Sequence, residues 1–89
     1  MANQEHLTIL EQGVEVWNQW RQEQQDVIPD LSGASLVKAD LSRADLSRAK
    51  LSHADLSRAY LSGASVTPEQ LGEARSLKDT IMPDGSKHP

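Results

Sequence analysis

The stretch "ADLSRADLSRAKLSHADLSRAYLSGAS", Ala39 to Ser65, repeats every five residues. Neither regular element explains that period, because a helix repeats at about 3.6 residues and a strand at about 2. Aligned on their apolar centres, the units run Leu31, Leu36, Leu41, Leu46, Leu51, Leu56, Leu61 and Val66. Two residues before each centre stand Pro29, Ala34, Ala39, Ala44, Ala49, Ala54, Ala59 and Ala64. On an α-helix, five residues advance about 500°, so successive Leu side chains would spiral round the axis and share no face. The helix reading is rejected.

In an extended segment, residues two apart point the same way, so Ala and Leu of one unit share a face. The next Ala follows three residues later, so the residues between must turn the chain. Ser and Gly, frequent just after Leu, suit turns. A quarter-turn per unit closes a square coil of twenty residues, with Leu filling the axis and small Ala letting the walls approach. Positions twenty apart then stack: Asp30 with Lys50, Ser35 with Asp55, Asp40 with Tyr60, Asp45 with Ser65. At the turns, Lys38 stacks with Arg58 and Gly33 with His53.

The A-[D/N]-L-x-x units resemble the pentapeptide-repeat family across Pro29–Thr67. The departures are Pro29 for the first Ala, Val66 for the last Leu, and Lys50 and Tyr60 where Asp or Asn is usual. The flanks "GVEVWNQWR" and "MPDG" resemble the ends of bacterial, especially cyanobacterial, members. The resemblance implies an all-β solenoid, a right-handed quadrilateral β-helix of about two coils. The expected organisation is an N-terminal helical cap over 1–28, repeats over 29–67, and a helix, partial coil and tail over 68–89.

Composition explains why caps are expected. The chain has 89 residues, no Cys, no Phe and a hydrophobic fraction of 37%. Disulfides and an aromatic core are therefore excluded, and a short stack exposes apolar side chains and unpaired backbone at both ends. Leu7, Leu10, Val14, Trp17 and Trp20 fall at helical spacing within Glu5–Gln24, with Ile9 and Val16 widening the stripe. A cap needs broad apolar surface, so Trp17 and Trp20 are read as cap residues rather than a stacking platform for nucleic acid. In "TPEQLGEA", Thr67 is an N-cap, Pro68 the first helical residue and Gln70 the partner in a capping box. A helix over Pro68–Ala74 with Leu71 inward is expected. Leu77, Thr80 and Met82 then resume the inward spacing, and "SKHP" is expected to fray.

Nothing in this pattern points to chemistry. Ser42, Ser47, Ser52, Ser57 and Ser62 recur because the turn recurs, and no base is placed to activate one of them. His6, His53 and His88 fall in a cap, a turn and a tail, whereas a metal site needs converging ligands. No catalytic, cofactor-binding or metal-binding residue is assigned. The Asp and Arg of "ADLSR" are expected to pair across the surface.

The net charge is −4, concentrated in residues 1–28, while residues 29–66 carry +1. This disfavours direct nucleic-acid binding through Lys38, Arg43, Arg48, Lys50 and Arg58. Some members of the resembled family modulate type II topoisomerases as acidic DNA mimics. Here no stacked column is uniformly acidic, and two coils rise only about 10 Å. The expectation is a non-enzymatic interaction module with an unknown protein partner, a monomer or weak dimer. The opening residues lack a signal-peptide or membrane-spanning pattern, so a cytoplasmic, membrane-free setting is expected.

Overall fold

The computed structural model describes all 89 residues, Met1–Pro89. The seven units centred on Leu31 to Leu61 fold in the same way. The chain turns over Leu-Ser-X-Ala, with Val37 in place of Ser in one unit, and the Ala N–H closes the turn on the Leu carbonyl, as from Ala44 to Leu41 and from Ala49 to Leu46, both at 3.0 Å. The third turn residue is left-handed throughout: Gly33, Lys38, Arg43, Arg48, His53, Arg58 and Gly63 all have φ between 61° and 73°. A positive φ at that position alone defines a type II turn.

The chain passes back over itself every twenty residues. Parallel bridges join Asp30 to Lys50, Ser35 to Asp55, Asp40 to Tyr60 and Asp45 to Ser65, the four pairs expected from the spacing. Each contact follows one scheme. Leu36 N–H donates to the Asp55 carbonyl at 2.8 Å, and Asp55 N–H donates to the Ala34 carbonyl at 2.9 Å. Leu31, Leu46, Leu51, Leu56 and Leu61 are wholly buried between the circuits, as are Ala44, Ala54 and Ala59, with Leu36 and Leu41 nearly so.

The all-β, right-handed quadrilateral β-helix expected above is corrected by this structure. No sheet or barrel of strands forms. Helices of 8, 10 and 5 residues stand against eleven residues held in isolated bridges. The reason is the turn itself. With four of every five residues spent on it, one residue per unit is left to bridge, and a strand needs consecutive bridged residues.

The amphipathic stripe expected as one helix forms two, α1 (Gln4–Glu11) and α2 (Val14–Glu23). Gly13 separates them at φ 113°, outside the helical region and easily reached only by glycine. Val16 faces solvent at 43% exposure instead of widening the stripe, since it lies about 100° round α2 from Trp17. Trp17 is wholly buried and Leu10 nearly so, while Val14 and Trp20 are partly buried against the same core. Trp17 and Trp20 lie 5.2 Å apart between ring centres, and His6 lies 5.0 Å from Trp20.

After Val66, which is only partly buried, α3 (Pro68–Gly72) interrupts the repeat. Thr67 and Gln70 form the reciprocal capping box, and Leu71 is buried. The helix adds one residue to the circuit, so Asp55 bridges Ser76 and Tyr60 bridges Ile81 at a spacing of 21. Thr80 is wholly buried in the resumed circuit, whereas Leu77 and Met82 are partly buried. The tail does not fray. It folds back antiparallel, bridging Lys87 to Ile81, with Met82 N–H on the Ser86 carbonyl at 2.7 Å and His88 N–H on the Thr80 carbonyl at 2.8 Å.

Candidate functional site

The surface is built from three kinds of position: the bridge residues, the turn serines and the left-handed corners. The Asp residues at bridge positions do not reach mainly for Arg, as the sequence suggested. Asp30, Asp40, Asp45 and Asp55 each accept the N–H of the Ser two residues on, at 3.0–3.1 Å. Ser47 and Ser57 add their hydroxyls to the same carboxylates at 2.6 Å. These are Asx turns, which fix the corner locally. The serines therefore act as turn donors, and the carboxylates beside Ser47 and Ser57 are tied into the same turns.

The carboxyls respond accordingly. Hydrogen bonds from the Ser57 hydroxyl and N–H hold Asp55 below its usual range, helped by Arg75 at 3.0 Å. The backbone and side chain of Ser32 do the same for Asp30, and those of Ser42 for Asp40. For Asp45, burial acts in the opposite direction, but the Ser47 hydrogen bonds and the Arg21 charge outweigh it.

At the upper edge of the first circuit, the bridge residues direct N–H and C=O away from the circuit below. Two of the four are covered. Asp30 donates to His6 Nδ1 at 3.1 Å, and its carbonyl accepts from Asn3 N–H at 2.9 Å. Asp45 donates to Asn18 Oδ1 at 2.8 Å, and Asn18 Nδ2 donates to the Arg43 carbonyl at 3.0 Å. Trp17 Nε1 and Arg21 both donate to the Asp45 carbonyl, at 2.8 and 2.6 Å. Arg21 is 5% exposed and also donates to the Ser47 carbonyl at 2.8 Å. The side chains of α2 thus complete a backbone edge.

The other two are open. The N–H and C=O of Ser35 and Asp40 have no partner within the chain. A cleft of about 730 Å³ beside Asp40 is walled by Gly13, Val14 and Arg43.

Hydropathy could not point to His6, Asn18 or Arg21, because each acts through a polar atom that replaces a backbone partner. Beneath the first circuit, Gln70 does similar work, its amide donating to the Leu46 and Ala49 carbonyls at 2.7 and 2.9 Å where α3 breaks the second circuit. The remaining histidines stay apart, His53 at an exposed corner and His88 in the tail. No three His, Asp or Glu side chains gather as metal ligands, and no helix is long and apolar enough to cross a membrane.

These features define a repeat module whose polar surface is fixed by recurring turns. Residues 30–65 match the family model for pentapeptide repeats in eight copies, so this part of the chain is built of pentapeptide repeats. Members of that family are in general structural repeat proteins rather than enzymes. No curated protein and no solved structure gives a significant match to the chain.

Proposed function

We propose that this chain is a non-enzymatic protein-interaction module that acts in the cytoplasm as a monomer or weak dimer. The observation that carries the reading is the half-covered upper edge. Two bridge positions are sealed by helices, while Ser35 and Asp40 offer backbone donors and acceptors, Asp40 beside a cleft. An extended segment of another protein can pair with such an edge, with main-chain hydrogen bonds giving affinity and side chains giving specificity. The rigid corners around it hold outward side chains in fixed register, which suits recognition.

The topoisomerase-directed DNA-mimic alternative draws less support. A mimic needs phosphate-like charge at regular intervals, and the stacked columns alternate Asp30 with Lys50 and Asp40 with Tyr60 and Ile81. A photo-crosslinking residue at Ser35, expressed in native cells, tests the interaction reading. A discrete crosslinked protein, lost when the same residue is moved to an unrelated exposed site such as Glu69, is the expected result. Equal labelling from both positions would contradict it.

A further inference from the structure

Of the four corners of the stack, one carries two cations directly above one another. Lys38 (φ 63°) and Arg58 (φ 62°) hold equivalent left-handed positions one circuit apart. The other corners avoid this: Gly33 lies above His53, Arg43 above Gly63, and the circuit below Arg48 is taken up by α3. Left-handed backbone favours glycine, and like charges on stacked neighbours repel. Lys38 and Arg58 therefore combine two local costs. The three ion pairs of the chain involve neither of them, and neither side chain donates a hydrogen bond within the chain. Asp79 (φ 60°) holds the same corner one circuit below Arg58, so one carboxylate lies beneath the two cations, yet neither Lys38 nor Arg58 closes an ion pair with it.

Around this corner lies a groove of about 400 Å³ lined by Lys38, Arg58, Tyr60, Asp79, Ile81 and Lys87. Tyr60 is 51% exposed and Ile81 partly exposed, so the wall beside the cations is apolar. Lys87 is brought there by the folded-back tail and stands 4.0 Å from Asp79, the one carboxylate in the lining. Asp40 lies above Tyr60 in the same column, its carboxylate engaged by the Ser42 N–H. The groove thus holds three cations against one acid.

We propose that this groove docks a short acidic segment of a partner protein, an inference that rests on the interaction-module reading. Charge complementarity selects an anion, and the geometry selects its kind. Two circuit steps span about 10 Å, the length of roughly three extended residues. Two carboxylates can meet the Lys38–Arg58 pair and Lys87, while an intervening apolar side chain covers Tyr60 and Ile81. A long polyanion fits less well. One exposed aromatic is a poor platform for successive bases, and the net charge of −4 opposes approach. A short segment senses mainly the groove, because screening confines the field to about 8 Å at physiological salt.

The test uses the full chain and a fluorescein-labelled peptide, Gly-Glu-Ile-Glu-Glu-Gly, followed by anisotropy, with its Gln-for-Glu counterpart as control. The acidic peptide is expected to bind at least tenfold tighter than the control, with Tyr60 and Ile81 amide resonances shifting. Lys38→Gln/Arg58→Gln should weaken binding at least tenfold while leaving the melting temperature equal or higher. Unchanged binding by that variant, or a lowered melting temperature showing the cations to be structural, would overturn the proposal. So would tighter binding of a six-nucleotide oligothymidylate than of the peptide. If the groove fails while crosslinks from Ser35 persist, the groove is wrong and the interaction reading stands.

Discussion

The two ends of the repeat stack are closed by different means. At the N-terminal end, α1 and α2 seal two of four exposed bridge positions with side chains: His6 at Asp30, and Trp17, Asn18 and Arg21 around Asp45. At the C-terminal end, the chain's own backbone does much of the sealing, through the antiparallel return of Ser86–His88 onto Thr80 and Met82. The N-terminal closure plugs the axis with a wholly buried Trp17, whereas Leu77 and Met82 at the opposite end remain partly exposed. A short stack can thus be finished by apolar mass at one end and by backbone pairing at the other. The first should matter more.

The largest test removes each end in turn. Deleting residues 1–26 should give an unfolded or aggregating chain although all repeats remain, because so small a core cannot stand uncapped. Deleting 84–89 should leave a folded chain with a lower melting temperature. Circular dichroism and light scattering distinguish these outcomes, and a soluble monomer from the first deletion would break the comparison.

Point substitutions sharpen it. Trp17→Ala should cost about 3–5 kcal/mol, as wholly buried aromatics do. Between the two ends, Leu46→Ala should cost about 2–5 kcal/mol. Arg48→Ala in the same unit, which removes an exposed hydrogen bond to the Gln25 carbonyl, should cost no more than about 1 kcal/mol. Equal losses at Leu46 and Arg48 in urea titrations would show that inward and outward positions are not distinct.

That inward column was legible because Leu recurs at a period only a turning chain can use, and the same spacing named the pairs that bridge. The capping box of α3 was legible too, since Thr67, Pro68 and Gln70 are local signals. What could not be read was whatever depends on one backbone angle or one polar atom. Gly13 fits a helical stripe as a mild weakness, yet its φ divides the helix in two. The strand content was overestimated because alternation of Ala and Leu does not reveal how few residues the turn leaves free. The Asp–Arg pairing gave way to Asx turns, since the Ser two residues on is always nearer than the next cation. Asn18, Arg21 and the tail act across 24 or more residues or after a reversal, where periodicity carries no signal.

A smaller effect comes from side chains that stand in for backbone. Asn18→Ala should cost about 1–3 kcal/mol by stranding the Asp45 N–H and the Arg43 carbonyl. At the other end, Ser86→Ala removes a hydroxyl bond to Asp84 on an exposed turn and should cost under about 0.5 kcal/mol. Comparable losses in urea midpoints would mean that the two ends are equally fixed.

Acidification should give the mildest graded change. Asp30, Asp45, Asp55 and Asp84 have carboxyls held below the ordinary range in the folded chain. The unfolded chain therefore binds more protons near pH 4, and stability falls as pH drops below about 3.9 through the folded values. Asp45→Asn keeps an acceptor for Ser47 but cannot titrate, so the decline between pH 5 and 3 should be shallower in that variant. An unchanged slope would remove the N-terminal edge from the acid response.

Native-state amide hydrogen exchange compares the two closures most directly. The Asp45 N–H, held by Asn18, and the Leu46 N–H, on the Ser65 carbonyl, should exchange only through global unfolding. The Met82 and His88 N–H groups, held by the returning tail, should exchange through local opening at a lower free energy. Protection of Met82 and His88 equal to or greater than that of Asp45 would contradict the account.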